Sequence, residues 1–194
     1  SSDFWGQVYG KTLAMLYYHN DEYEKAMEVL QALLESSIDD YELHYFAGLV
    51  AAEQGRPDVA RLELEKSVAL HEGFEDGWYR LCLLSVKEKQ LDRALVDAQR
   101  YVESVPRSAE SWRMLGYVHN ARKEYGEGVD ALKRALAFDS SEALVWFELG
   151  SAYERQKLLE PAADAFRRVL ALKPRDPVAS NYLAYMWAEH GVKL

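Results

Sequence analysis

Five histidines, one cysteine and many carboxylates are the residues of this 194-residue chain whose side chains could do chemistry. A zinc site needs three or four His, Cys or carboxylate ligands converging on one point, commonly with two of them one helical turn apart. His19, His44, His71, His119 and His190 are scattered along the chain with no second ligand at i+4 on a helix, so the spacing predicts no metal centre. A nucleophilic cysteine needs a neighbouring base or cation to ionise it. Cys82 stands where small residues recur and reads as a buried space-filler. A phosphate-binding loop needs glycines that lead into Lys-Ser/Thr or follow a strand, and Gly6, Gly10, Gly126 and Gly128 have neither context. The carboxylates are expected on exposed helix faces, and the pair Asp39-Asp40 falls near a turn with no cleft implied. These residues predict no enzyme, no cofactor and no metal in this segment.

The elements that carry them read as helices. Ala, Leu, Glu, Arg and Lys abound, only five prolines and eleven glycines punctuate the chain, and no alternating runs suggest strands. The expectation is an all-α protein. No run approaches the roughly 18 apolar residues of a membrane helix, so direct membrane insertion is not expected. A net charge of −9 disfavours a nucleic-acid backbone as partner. The charge is uneven: residues 1–104 hold 20 acids and 10 bases, and residues 105–194 hold 12 acids and 13 bases. A basic partner segment would be steered to the first half, although solvated outer faces explain such charge equally well.

Self-comparison organises the whole chain. From Trp146, steps of 34 residues backward reach Trp112 and Trp78, while Gly150 steps to Gly116, Cys82, Gly48 and Ala14. In the second half of each unit Ala26, Ala60, Ala94, Gly128 and Ala162 form another column. Two helix backbones approach closely only over small side chains, so these columns predict an antiparallel helix pair in each unit. Trp78, Trp112 and Trp146 then read as packing residues between helices. Turns are expected at His19-Asn20-Asp21, Gly55-Arg56-Pro57 and Lys87-Glu88-Lys89-Gln90.

These columns resemble the tetratricopeptide-repeat family, whose pattern runs Trp-x2-Leu-Gly-x2-Tyr, then Ala-x3-Phe, then Pro. Residues 143–176 match throughout, with Trp146, Leu149, Gly150, Tyr153, Ala162, Phe166 and Pro174. The resemblance covers nearly the whole chain as units 7–40, 41–74, 75–108, 109–142 and 143–176, followed by a partial unit at 177–194. Gly10 and His44 depart from the tryptophan column, and Gly128 departs from the alanine column. The resemblance implies one right-handed superhelical solenoid of antiparallel helix pairs spanning 1–194, acting as a protein–protein interaction scaffold or adaptor. Asn181-Tyr182-Leu183-Ala184-Tyr185 is similar to late repeats of bacterial members. That similarity implies a bacterial source, in cytoplasm or periplasm, with membrane-anchored adaptors among such members.

In the family, the first helices of successive units line a concave groove. Carrying its inward positions onto this sequence gives Lys11, Tyr45, Phe46, Tyr79, Arg80, Arg113, Tyr117, Asn120, Phe147, Arg155, Tyr182 and Tyr185 as partner-binding candidates. Tyr, Phe and Arg are enriched at the desolvated centres of protein interfaces, so this set suits an extended or helical peptide held at about micromolar strength. One branch of the family clamps a C-terminal carboxylate with Lys, Asn, Asn, Lys and Arg. Here Lys11 and Arg80 match, but Met15, Phe46 and Asp76 replace the other three, so that clamp is not expected. The aromatic helix at 177–190 suggests that the natural chain continues beyond Leu194. The alternatives are self-assembly through that helix, giving a homo-oligomer, or a regulatory arm of a larger enzyme.

Overall fold

The 34-residue period appears first as a backbone conformation. Asp21, Gly55, Lys89, Lys123 and Lys157, spaced 34 apart, all have φ between 58° and 70°. Each closes a helix with the same two hydrogen bonds, as at Gly55 N–H to the Ala52 carbonyl and Arg56 N–H to the Ala51 carbonyl, both near 3 Å. This is the Schellman termination, which requires a left-handed residue just past the helix. Only the second turn uses glycine; three use lysine, whose Cβ is strained there.

In the computed structural model the described residues are 2–190, except for the side chains of residues 2–7, 187, 189 and 190. The chain divides into two compact units, Ser1–Gln90 and Leu91–Leu194. The first holds helices α1 (Ser2–His19), α2 (Tyr23–Ser36), α3 (Tyr41–Glu53), α4 (Pro57–Leu70) and α5 (Glu75–Lys87). The second holds α6 (Leu91–Ser104), α7 (Ala109–Ala121), α8 (Tyr125–Phe138), α9 (Ala143–Arg155), α10 (Leu159–Leu172) and α11 (Pro177–His190). No strand occurs among the described residues. The expectation for the chain past residue 190 lies outside them.

Consecutive helices pack pairwise: α1 on α2, α3 on α4, α7 on α8 and α9 on α10. The small-residue columns are where they touch. A Cβ added at Gly48 or Gly116 would come within 2.7 Å of the Leu64 or Leu132 Cγ, too close for any methyl group. At Gly150 the nearest atoms belong to the Phe166 ring at 3.0 Å, a slightly looser crossing. Gly128 is explained by a partner rather than by a missing contact. The Asn120 amide oxygen lies against the point where an alanine Cβ would sit, so the asparagine occupies the alanine's space. Gly10 is matched in the same way by Leu33. Cys82 is fully buried, as its column requires.

The tryptophan column does more than fill space. The indole N–H groups of Trp78, Trp112 and Trp146 donate to the carbonyls of Glu72, Pro106 and Ser140, each six residues earlier, at 2.8–2.9 Å. Each bond ties the turn ahead of a first helix to that helix. His44 makes the same bond, from Nε2 to the Ile38 carbonyl at 2.7 Å, while its Nδ1 meets Glu63 at 2.6 Å. The departure seen in the sequence is therefore a chemical substitute, an imidazole N–H for an indole N–H. Of the three tryptophans, only Trp78 is fully buried; Trp112 and Trp146 are half-buried, with Arg134 and Arg168 over their rings.

Candidate functional site

In each unit the first helices touch one another directly, α1 with α3 and α7 with α9, and so share one face, the one the family register makes the inner face. On that face a single contact recurs between a residue of one first helix and the residue 35 positions later on the next. It is filled three ways: Tyr45 with Arg80, Arg113 with Glu148, and Phe147 with Tyr182. Six residues of the inner face are thereby paired across repeats, and the chemistry of each pair decides what remains for a partner.

In the first unit Arg80 is an exposed residue whose guanidinium stands among phenols. Partial burial draws its pKa down, but the hydrogen bond with Tyr45 and the nearby Tyr18 and Tyr79 hold it above the ordinary value. Tyr18 is raised by burial and by Glu53, against the pull of Arg80. Tyr45 is anchored edge-on to Phe74, with ring centroids 5.0 Å apart. A rigid aromatic wall thus carries an accessible cation, with Tyr79 half-buried beside it. Tyr18 and Glu53, at the twelfth and thirteenth positions of their repeats, complete this cluster; Tyr18 is an inward position of the family register, whereas Glu53 was not among the sequence candidates. Lys11 is already engaged within the chain, its ammonium binding Asp40 at 2.8 Å and Glu42 at 2.6 Å. Phe46 is half-buried against Ala14, Met15 and Leu30, around a void of about 10 Å³.

In the second unit the cation is enclosed. Arg113 is only 8% exposed; it donates to Glu148 at 2.8 Å and twice to Glu110, at 2.9 and 2.5 Å. Burial lowers its pKa, but the two carboxylates more than offset that and raise it. Glu148 shares this one guanidinium with Glu110, and its Oε2 is buried with no hydrogen-bond partner. Burial pushes Glu148 up to about 7 despite Arg113, and Glu110 adds to the rise. The expectation that carboxylates lie on exposed faces fails here, because the position faces the neighbouring first helix instead of water. Asp97 is likewise buried, and Glu63 half-buried. Phe147 and Tyr182 form an aromatic trio with Phe166, Tyr182 stacking on Phe166 at 4.9 Å. Asn120 and Arg155 line a shallow cavity of about 360 Å³ with Lys123, Tyr125 and Ser151. Tyr117 is half-buried and Tyr185 is 54% exposed.

Among the described residues no group of three His, Cys, Asp or Glu is placed to hold a metal, and no helix is long and apolar enough to cross a membrane.

The family model described as "Tetratricopeptide repeat" matches residues 11–73, 86–143 and 124–177. The chain belongs to the tetratricopeptide-repeat family. Among curated relatives, Protein bimA of Emericella nidulans is 26% identical over 152 residues, covering 78% of this chain and 17% of that protein. The chain thus spans about a sixth of that relative's length. Tetratricopeptide-repeat structures share the fold. MamA from Desulfovibrio magneticus RS-1 superposes with a TM-score of 0.73 at 22% identity, covering 89% of this chain and 97% of that one. YrrB, described as "a TPR protein with an unusual peptide-binding site", gives 0.69 at 22% identity, covering 89% of each chain.

Proposed function

We propose that this tetratricopeptide-repeat chain is a protein–protein interaction scaffold whose inner faces hold an extended or helical segment of a partner, without chemistry of its own. The observation that carries this reading is the exposed Arg80 guanidinium set in a wall of Tyr18, Tyr45 and Tyr79. Aromatic side chains give large contact area at little entropic cost, and an arginine over them supplies a directional donor for a carboxylate or backbone carbonyl. The wall is ordered before binding, since Tyr45 is already fixed against Phe74. In the second unit Tyr117 and Arg155 are the inner-face candidates offered to a partner, whereas Arg113 serves to hold α7 to α9. The peptide-binding site in the description of YrrB favours capture of a different protein over self-assembly.

The test is affinity capture with tagged wild-type chain against Tyr79→Ala/Arg80→Ala, with helicity followed by circular dichroism. Partners recovered by the wild type should be lost by the double variant at unchanged helicity. Equal recovery by both would refute the assignment of this face.

A further inference from the structure

The opposite face of the second unit carries a cleft that plays no part in the inner-face site. Helices α8 and α10 stand apart there, and α9 forms the floor between them, leaving a hollow of about 540 Å³. That volume falls within the roughly 300–1,000 Å³ range of clefts that bury a compact ligand group. Its floor is apolar and aromatic, made by Trp146, Leu149 and Tyr153, with Leu136 of α8 on one wall. The Trp146 N–H is already bound to the Ser140 carbonyl at 2.9 Å, so the ring offers carbon surface to the hollow.

The rim is cationic. Lys133 lies 5.7 Å from the Tyr153 ring centroid, and the Arg168 guanidinium lies 5.9 Å from that of Trp146. Both side chains are exposed. The one acid on the rim, Asp164, is taken by Arg167 at 2.6 Å. A cation over a ring face is held in place but keeps its charge, and so remains available to a carboxylate. The same arrangement is met twice, on α8 and on α10, across one apolar slot.

The geometry points to this cleft as a second docking site, for a short acidic segment of a partner protein that inserts one large apolar side chain between flanking carboxylates. The hollow takes the apolar group, and Lys133 and Arg168 take the acids on either side. A basic segment would place like charges against both cations with no free acid on the rim to compensate. The site is independent of the inner face, because its lining comes from the second helices and the outer side of α9.

The probe is a phage-displayed random 12-residue peptide library, selected on the full chain and counter-selected on Ala137→Trp, which fills the hollow from its exposed edge. The expected peptides are net acidic with an aromatic or large aliphatic residue between acids. By fluorescence anisotropy they should bind Lys133→Glu/Arg168→Glu at least tenfold more weakly, lose affinity with added salt, and bind the inner-face variant Tyr117→Ala/Arg155→Ala unchanged. Circular dichroism checks folding; if the charge reversal unfolds the unit, Ala137→Trp and the salt dependence decide. Selected peptides without net acid, binding that follows Tyr117 and Arg155 instead, or no peptide that distinguishes Ala137→Trp would each overturn the proposal.

Discussion

Tyr45 with Arg80 in the first unit and Arg113 with Glu148 in the second are the same contact in the repeat, 35 residues apart in each case. In the first, the arginine meets a neutral phenol, keeps its charge and stays exposed. In the second, it meets carboxylates that balance its charge, and it sinks to 8% exposure. At this seam a guanidinium stays exposed opposite a phenol and is buried opposite a carboxylate, whether it is the later residue of the pair, as Arg80 is, or the earlier, as Arg113 is. Ion pairs of this kind are poor evidence for net stabilisation, but breaking one leaves a buried charge without compensation.

The largest contrast follows from that asymmetry. Arg113→Ala should lower unfolding stability by about 3–5 kcal/mol at neutral pH, since Glu148 would lose its one donor. Arg80→Ala, which leaves only phenols behind, should cost less than about 1 kcal/mol. Urea denaturation of the two variants measures both. Similar losses would mean that the two seams do not differ in the way their burial indicates.

The next contrast is in pH. Glu148 binds its proton more tightly in the folded chain, near 7, than at its ordinary value of 4.5. The folded state therefore holds more protons between those values, and stability falls as pH rises from about 4.5 to about 7 and levels off above. The fall attributable to this group is on the order of 3 kcal/mol. Glu148→Gln should flatten the profile in that window, while Arg80→Ala should leave it unchanged. The penalty of Arg113→Ala should also shrink toward pH 5, because a protonated Glu148 needs no cation. Chemical denaturation across pH 4.5–8 reads all three slopes.

The repeat itself was legible because small residues and tryptophans recur where backbones cross, and steric clearance leaves few alternatives at Gly48, Gly116 and Gly150. The His44 substitution was not legible as an equivalent, since what the column conserves is an N–H aimed at the carbonyl six residues back, not an aromatic bulk. The inner-face positions could be carried over from the family register. What could not be read was which of them face water: Arg113 and Phe147 are turned to the next repeat, and that depends on how two first helices approach. The cleft on the other side was invisible for a related reason. Lys133, Trp146 and Arg168 come from three helices and show no joint spacing until they are packed.

The turns give the smallest contrast, this time between one turn and its equivalents. Gly55 takes the left-handed position without strain, whereas Lys89 in the same unit and Lys123 and Lys157 in the second hold φ of 58°, 65° and 60°. For a residue with a Cβ this conformation costs roughly 1–2 kcal/mol. Glycine removes that strain but brings a larger unfolded-state entropy, which returns part of the gain. The Schellman hydrogen bonds at these turns use backbone atoms alone, so they survive a change of side chain. Lys123→Gly and Lys157→Gly should each raise stability by about 0.5 kcal/mol in urea denaturation. Gly55→Lys should lower it by a similar or larger amount. If the lysine variants instead lose stability, chain entropy outweighs strain at these turns, and the lysines are as well suited to the register as the glycine.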